Sequence, residues 1–182
     1  MGQESGRVVW DAEEIRTAID RLANEIIAAT QDPQKLALVG IHTGGVFLAR
    51  RLESVISSKL NAPVPVGMLD ITLYRDDWTR LATQPILRGT NLPFRLDDRE
   101  VVLVDDVLYT GRTIRAALDA LIDYGRPKRV QVAVLVDRDH RELPICGQFI
   151  GIRLDTLAEE QVNVLLSEKD GADRVMIETP GK

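Results

Sequence analysis

Twice in this chain an uninterrupted apolar run stops at a small polar turn and is followed at once by a segment with helical spacing. LALVGI (36–41) passes through HTGG into VFLARRL, and VVLV (101–104) passes through DDVLYTGRT into IRAALDALI. A third run, VQVAVLV (130–136), ends at DRDHRELP. Continuous apolar runs of this length fit strands covered on both faces. Strands alternating with helices require crossover connections, which are right-handed in nearly all proteins. The pattern therefore restricts the chain to an α/β fold: a mostly parallel central sheet flanked by helices.

Other segments fit around that frame. Asp11 and Glu14 have capping-box spacing, and Ile15, Ile19, Leu22 and Ile26 recur with the helical period, which predicts a helix over 11–29. A second helix is expected over about 46–60, and a strand through Val64, Val66 and Met68 that continues into ITLY. A strand at 101–105 precedes a helix carrying Ile114, Leu118, Leu121 and Ile122, with Gly125 as its C-cap. Short strands are expected at 149–152, 162–166 and 174–177. Residues 75–98 are polar, basic and broken by proline, without a sustained period; so long a connection suits a closing lid or an extended hairpin. With 182 residues and neither a repeat nor a linker, the chain reads as one domain, 1–182.

Composition excludes several classes. Forty-five per cent hydrophobic content argues against disorder, and the single cysteine, Cys146, cannot form an internal disulfide. Cys146 reads as a small half-buried hydrophobe. No apolar run is long enough for a membrane helix, and the first residues lack a basic segment followed by an apolar one, so a cytoplasmic, membrane-free protein is expected. The net charge of -5 gives no general attraction to nucleic acid, although a local basic face is compatible with it.

Ligands of open α/β sheets bind beyond the carboxyl ends of the strands. Asp105 and Asp106 are expected at such an edge. After them, Gly111 lets backbone approach a ligand closely, Thr110 and Thr113 offer hydroxyls, and the next helix begins with free N–H groups. That is an anion cradle beside two carboxylates, and the carboxylates suit a diol or a divalent cation. The combination calls for a phosphorylated sugar.

VVLVDDVLYTGRT resembles the phosphoribosyl-pyrophosphate (PRPP) binding motif of type I phosphoribosyltransferases. VGIHTGGVFLARRL, DITLYRDD and LVDRDHRELPI resemble segments of the bifunctional pyrimidine operon attenuators and uracil phosphoribosyltransferases, so the resemblance spans about 10–177. It implies the type I fold with a small hood and a flexible lid over residues 75–95. It further implies that Asp105 and Asp106 hold the ribose hydroxyls while Val107, Leu108, Tyr109, Thr110, Gly111, Arg112 and Thr113 surround the 5-phosphate. Thr43, Gly44 and Gly45 match the pyrophosphate loop; the family carries arginine where this chain has Gly44. His42 is either a loop histidine without chemistry or part of that loop. Arg75 joins Asp105 and Asp106 as a catalytic candidate, acting on the leaving diphosphate. Val136, Asp137 and Arg138 are the base-binding candidates. Magnesium is the implied cofactor, with Asp106 and Asp137 as candidate ligands through water or ribose hydroxyls; Asp137 reads equally well as a helix cap.

The implied reaction joins uracil and PRPP into uridine monophosphate (UMP) and pyrophosphate. The implied regulation is uridine-nucleotide-dependent (UMP or UTP) binding of pyrimidine-operon leader RNA by a homodimer or higher homo-oligomer. Arg16, Arg21, Arg141 and Arg153 are the RNA-binding candidates. Thr17, Asn24, Cys146 and Leu154 stand where basic residues or histidine are expected, so RNA binding should be weaker than in the family or depend on a local basic face. Two further readings stay open: an attenuator with little catalysis, and a purine phosphoribosyltransferase. The latter leaves DITLYRDD and VDRDHRELP unexplained.

Overall fold

The computed structural model describes residues 6–77 and 87–179. Its central sheet contains β2 (Leu36–Ile41), β3 (Val66–Leu69), β4 (Glu100–Leu108), β5 (Arg129–Asp137) and β6 (Phe149–Arg153). They lie in the order β3-β2-β4-β5-β6, and every neighbouring pair is parallel. Helices α1 (Ala12–Ala29) and α2 (Gly44–Leu60) cover one face, and α3 (Arg112–Ile122) covers the other. Successive strand residues serve opposite faces: Leu36, Leu38, Val102 and Val104 pack with α1 and α2, while Val39, Ile41, Val101 and Leu103 pack with α3. This two-sided burial is why these strands read as unbroken apolar runs.

A second, antiparallel sheet joins β1 (Gly6–Trp10), β8 (Arg174–Glu178) and β7 (Gln161–Leu165) in the order β1-β8-β7. With the one-turn helix α4 (Ser167–Asp170), it forms the hood. Val175 and Leu166 anchor the hood in the α1/α2 core. Among the described residues no helix is long and apolar enough to cross a membrane.

Several local expectations change. The capping box is present: Asp11 Oδ1 accepts from the Glu13 and Glu14 amides, and Glu14 Oε2 accepts from the Asp11 amide. Helix α2 begins at Gly44 rather than Val46, because the glycine turn is itself its first turn. ITLY does not extend β3. The Asp70 side chain accepts from the Thr72 amide at 3.0 Å and turns residues 72–74 into a 3-10 turn. The C-cap of α3 is Asp123, and Gly125 lies two residues further on. Cys146 is exposed rather than half-buried, since its loop runs outside both sheets. Strand β1 carried no usable periodicity and exists through its pairing with β8.

Candidate active site

The chain runs from β2 outward to β3 and then returns across β2 to β4, so the direction of winding reverses between β2 and β4. Open α/β sheets form their ligand crevice at such a reversal. Here β4 outruns its neighbour: its last partner on β2 is Gly40, opposite Val104, and from Asp105 onward it pairs only with β5. Asp105 and Asp106 therefore lie within the strand, not after its end at residue 105, and stand where the sheet opens above the 42–45 turn.

Two cavities share this crevice. One, of about 630 Å³, is lined by residues 107–113 together with Arg75, Asp76, Asp77 and Glu142. The other, of about 440 Å³, takes in His42, Thr43 and Gly44, the two aspartates, Asp70, Arg88 and Lys169. Arg75, Val107 and Thr113 line both. The first has the features of an anion cradle: Gly111 has φ 93°, a left-handed conformation suited to glycine, and the first-turn amides of α3 follow it. Thr110 O accepts from the Glu142 and Leu143 amides, tying the cradle to the 138–148 loop.

The 42–45 turn is built by close approach. A Cβ on Gly45 would overlap the Val104 carbonyl oxygen and lie 3.1 Å from Asp105 Cα, so α2 seats its first turn directly on β4. A Cβ on Gly44 would overlap Asp106 Oδ2 and lie 2.7 Å from its Cγ. His42 Nε2 is buried, with no hydrogen-bond partner among the described residues.

Asp105 is buried, and its carboxyl is pushed well above the ordinary range by desolvation, then by the adjacent Asp106 charge. Its Oδ1 accepts from the Asp106 amide at 3.0 Å, and Asp106 Oδ1 accepts from the Val107 amide at 2.8 Å. Arg75 reaches the crevice, but its guanidinium is engaged in a fork with Asp77, at 2.8 and 2.6 Å. An arriving anion must compete with that carboxylate. Arg112 is similarly held, by Asp76 at 2.6 Å and Glu142 at 2.7 Å.

Val136 and Asp137 close β5 and Arg138 follows it, and the last two side chains turn inward. Asp137 Oδ1 accepts from Arg141 at 2.6 Å and from the Asp139 amide at 3.1 Å. Its carboxylate thus braces its own loop, and no helix follows for it to cap. Buried Arg138 donates to Thr156 Oγ1 and Leu157 O and lies 4.0 Å from the Tyr109 ring centroid. It thereby links Tyr109 of the cradle to residues 156–157.

The RNA-binding candidates divide. Arg141 donates to Asp137, Tyr109 O and Ile145 O, with its side chain 19% exposed. Arg21 pairs with Glu25 and donates to the Ile150 and Gly151 carbonyls, joining α1 to β6. Arg16 and Arg153 are exposed. Of the expected lid, residues 78–86 lie outside the described residues. Its returning arm is anchored by Asp70, whose Oδ2 accepts from the Arg88 and Gly89 amides at 2.6 and 3.0 Å. These bonds and those from Thr72 outweigh desolvation and hold the Asp70 carboxyl down at about 2. Asp70, Arg88 and Lys169 were not anticipated. Asp70 had a sequence signal, an acid directly after a strand; the other two had none.

The phosphoribosyl transferase domain model matches residues 10–164. The bifunctional protein PyrR of Syntrophobacter fumaroxidans is 74% identical over 98% of this chain and 96% of its own length. That of Deinococcus radiodurans is 55% identical over 94% of each chain. Among solved structures, a hypoxanthine phosphoribosyl transferase of Trypanosoma cruzi superposes with a TM-score of 0.72 at 17% identity, over 98% of this chain and 93% of that one. HGPRT-ase from Leishmania tarentolae gives 0.71 at 14% identity, over 98% of each. At such identities the structures share the fold alone. With the crevice at the sheet's reversal point, the matched domain and relatives of this identity over nearly the full length, the chain belongs to the phosphoribosyltransferase family, in its PyrR branch.

Proposed function

We propose that this protein transfers the phosphoribosyl group of PRPP to uracil and that its pocket also reads uridine nucleotides to control binding of pyrimidine-operon leader RNA. One observation carries the catalytic reading: the acid pair, the anion cradle and the glycine turn open onto a single crevice, with Arg75 lining both of its cavities. The spacing suits a sugar with a phosphate at one end and a diphosphate at the other.

In this reading the 5-phosphate occupies the 109–113 cradle, the ribose hydroxyls donate to Asp105 and Asp106, and the diphosphate lies against the turn at 43–45. The C1–oxygen bond to the diphosphate breaks as a bond from uracil N1 forms, and the N1 proton passes to the departing diphosphate. Positive charge grows on the sugar ring, where the two carboxylates favour it. Negative charge grows on the leaving group, beside the first-turn amides of α2 and Arg75. Closure of the crevice excludes water, which would otherwise hydrolyse PRPP.

The residues fit a magnesium ion carried mainly by substrate oxygens. Asp105 and Asp106 line the diphosphate cavity, while no group of three ligating side chains exists among the described residues. Asp106, the less buried of the pair, is the nearer donor. Magnesium there supplies charge neutralisation for the departing diphosphate.

The test is release of pyrophosphate from PRPP with uracil, hypoxanthine or guanine, with and without magnesium. Uracil- and magnesium-dependent turnover is expected; equal activity with a purine overturns the assignment. For RNA, Arg16, Arg21 and Arg153 come from adjoining elements, since α1 is bonded to β6 through Arg21. Leader stem-loop binding should require a uridine nucleotide and fall steeply with salt. Absence of binding at low salt removes the regulatory half. A homodimer or higher oligomer is expected to present that face, and sedimentation of the free protein tests it.

A further inference from the structure

We propose that Lys169, carried by the hood helix α4, is the flexible cation that contacts the diphosphate of the substrate and follows it as it leaves. The inference deepens the function proposed above and rests on it. Lys169 lines the same cavity as the 42–44 turn and both aspartates, although more than 120 residues separate it from the turn and it belongs to the other sheet's connection. The turn residues Thr43, Gly44 and Gly45 carry no cationic side chain. Arg75 is forked onto Asp77. Among the described residues, Arg88 and Lys169 are the remaining lysine or arginine side chains on that cavity wall, which Asp70, Asp105 and Asp106 also line. A diphosphate therefore meets backbone amides at the turn, and a charge must reach it from elsewhere.

The placement of Lys169 is not incidental to the fold. Arg51, on α2, donates to Glu168 Oε1 at 2.8 Å, to both Asp173 oxygens at 2.7 and 2.8 Å, and to Ser167 Oγ at 3.0 Å. The Ser167 amide donates to Asp173 Oδ1 at 2.7 Å. One guanidinium thus clamps the residues on either side of Lys169 to the helix whose first turn is the glycine turn. Lys169 itself stays loosely engaged, 3.7 Å from Asp170 Oδ1, with its side chain 58% exposed. A clamped backbone beneath a weakly paired ammonium suits an anion that must be held and then released. Lysine provides a point charge on a mobile stem, where an arginine fork would grip.

The experiment compares wild type, Lys169→Met and Lys169→Arg. Readouts are calorimetric affinity for magnesium pyrophosphate, affinity for UMP, steady-state KM for PRPP, and melting temperature. In Lys169→Met, pyrophosphate affinity should weaken about tenfold, as expected for a lost charged contact, and KM for PRPP should rise alike. UMP carries no diphosphate, so its affinity should stay within about twofold, and exposure of the side chain should leave the melting temperature unchanged. Lys169→Arg should recover most of the loss. Unchanged pyrophosphate affinity in Lys169→Met, or an equal loss for UMP, overturns the inference while the wild-type reaction stands. A wild-type protein that neither binds pyrophosphate nor turns over PRPP overturns the function together with it.

Discussion

Gly44→Ala adds one methyl group at the point where helix α2 meets the acid pair. The new carbon would overlap Asp106 Oδ2, sit 2.7 Å from Cγ and 3.0 Å from Cβ, where ordinary contact begins at 3.4 Å. Asp106 must therefore withdraw its carboxyl carbon by about 0.7 Å (3.4 − 2.7), and rotation about its own Cα–Cβ bond cannot move the Cβ. Two terms oppose each other in stability. Alanine improves helix propensity by up to about 1 kcal/mol. Overpacking costs about 1–3 kcal/mol, and the bond from the Val107 amide to Asp106 Oδ1 is strained or lost. A net loss of about 1 kcal/mol lowers the melting temperature of a domain this size by about 2–4 °C. Catalysis should suffer more, because misplacing a group by about 1 Å can cost about 10²-fold. We expect kcat/KM for PRPP to fall by about 10- to 100-fold, with the fold intact by circular dichroism. A variant with wild-type kcat/KM would refute the reasoning that the missing Cβ sets the position of Asp106.

Asp105→Asn should abolish efficient turnover yet stabilise the protein at neutral pH. The Asp105 carboxyl is raised by burial and by Asp106, so its stabilising contribution is full below about pH 4 and is lost as pH rises through the folded value; the melting-temperature gain of the variant should be larger at neutral pH than at about pH 4, and a destabilised variant contradicts this. Asp70 has the opposite sign: held at about 2, it contributes above about pH 4 and is lost only as pH falls through about 2. Asp70→Ala should accordingly expose residues 87–90 to limited proteolysis at neutral pH; an unchanged cleavage pattern would show that the arm is held by other contacts. Arg141→Ala leaves the Asp137 carboxylate, only 6% exposed, without its partner and should cost about 3 kcal/mol of stability. Arg16→Ala and Arg153→Ala should instead leave the melting point unchanged and lower RNA affinity and its salt dependence, as gel shifts at two salt concentrations would reveal; a stable Arg141→Ala variant that loses only RNA binding would reverse that division.

Local sequence determined the elements whose signal is contained within a few residues. The runs 36–41 and 101–104, and 132–136 beyond Gln131, are continuously apolar because α1 and α2 bury one face of the sheet and α3 the other, and that demand is written into each residue. The capping box of Asp11 and Glu14 and the cradle around Gly111 are likewise short-range. What the tertiary structure decided depends on partners distant in sequence. Strand β1 forms because β8 offers it a ladder, and ITLY turns because Asp70 captures the Thr72 amide. Asp137, Arg138 and Arg141 are site candidates through the family resemblance, and their contacts are not legible in the sequence. Packing pairs Asp137 with Arg141, and Arg138 with Tyr109 and residues 156–157, since charges at a buried strand end need partners close by. Lys169 could not be assigned to the crevice from its own neighbourhood. It is brought there by the Arg51 clamp across two sheets, and the energy of that placement lies in contacts between residues more than a hundred positions apart.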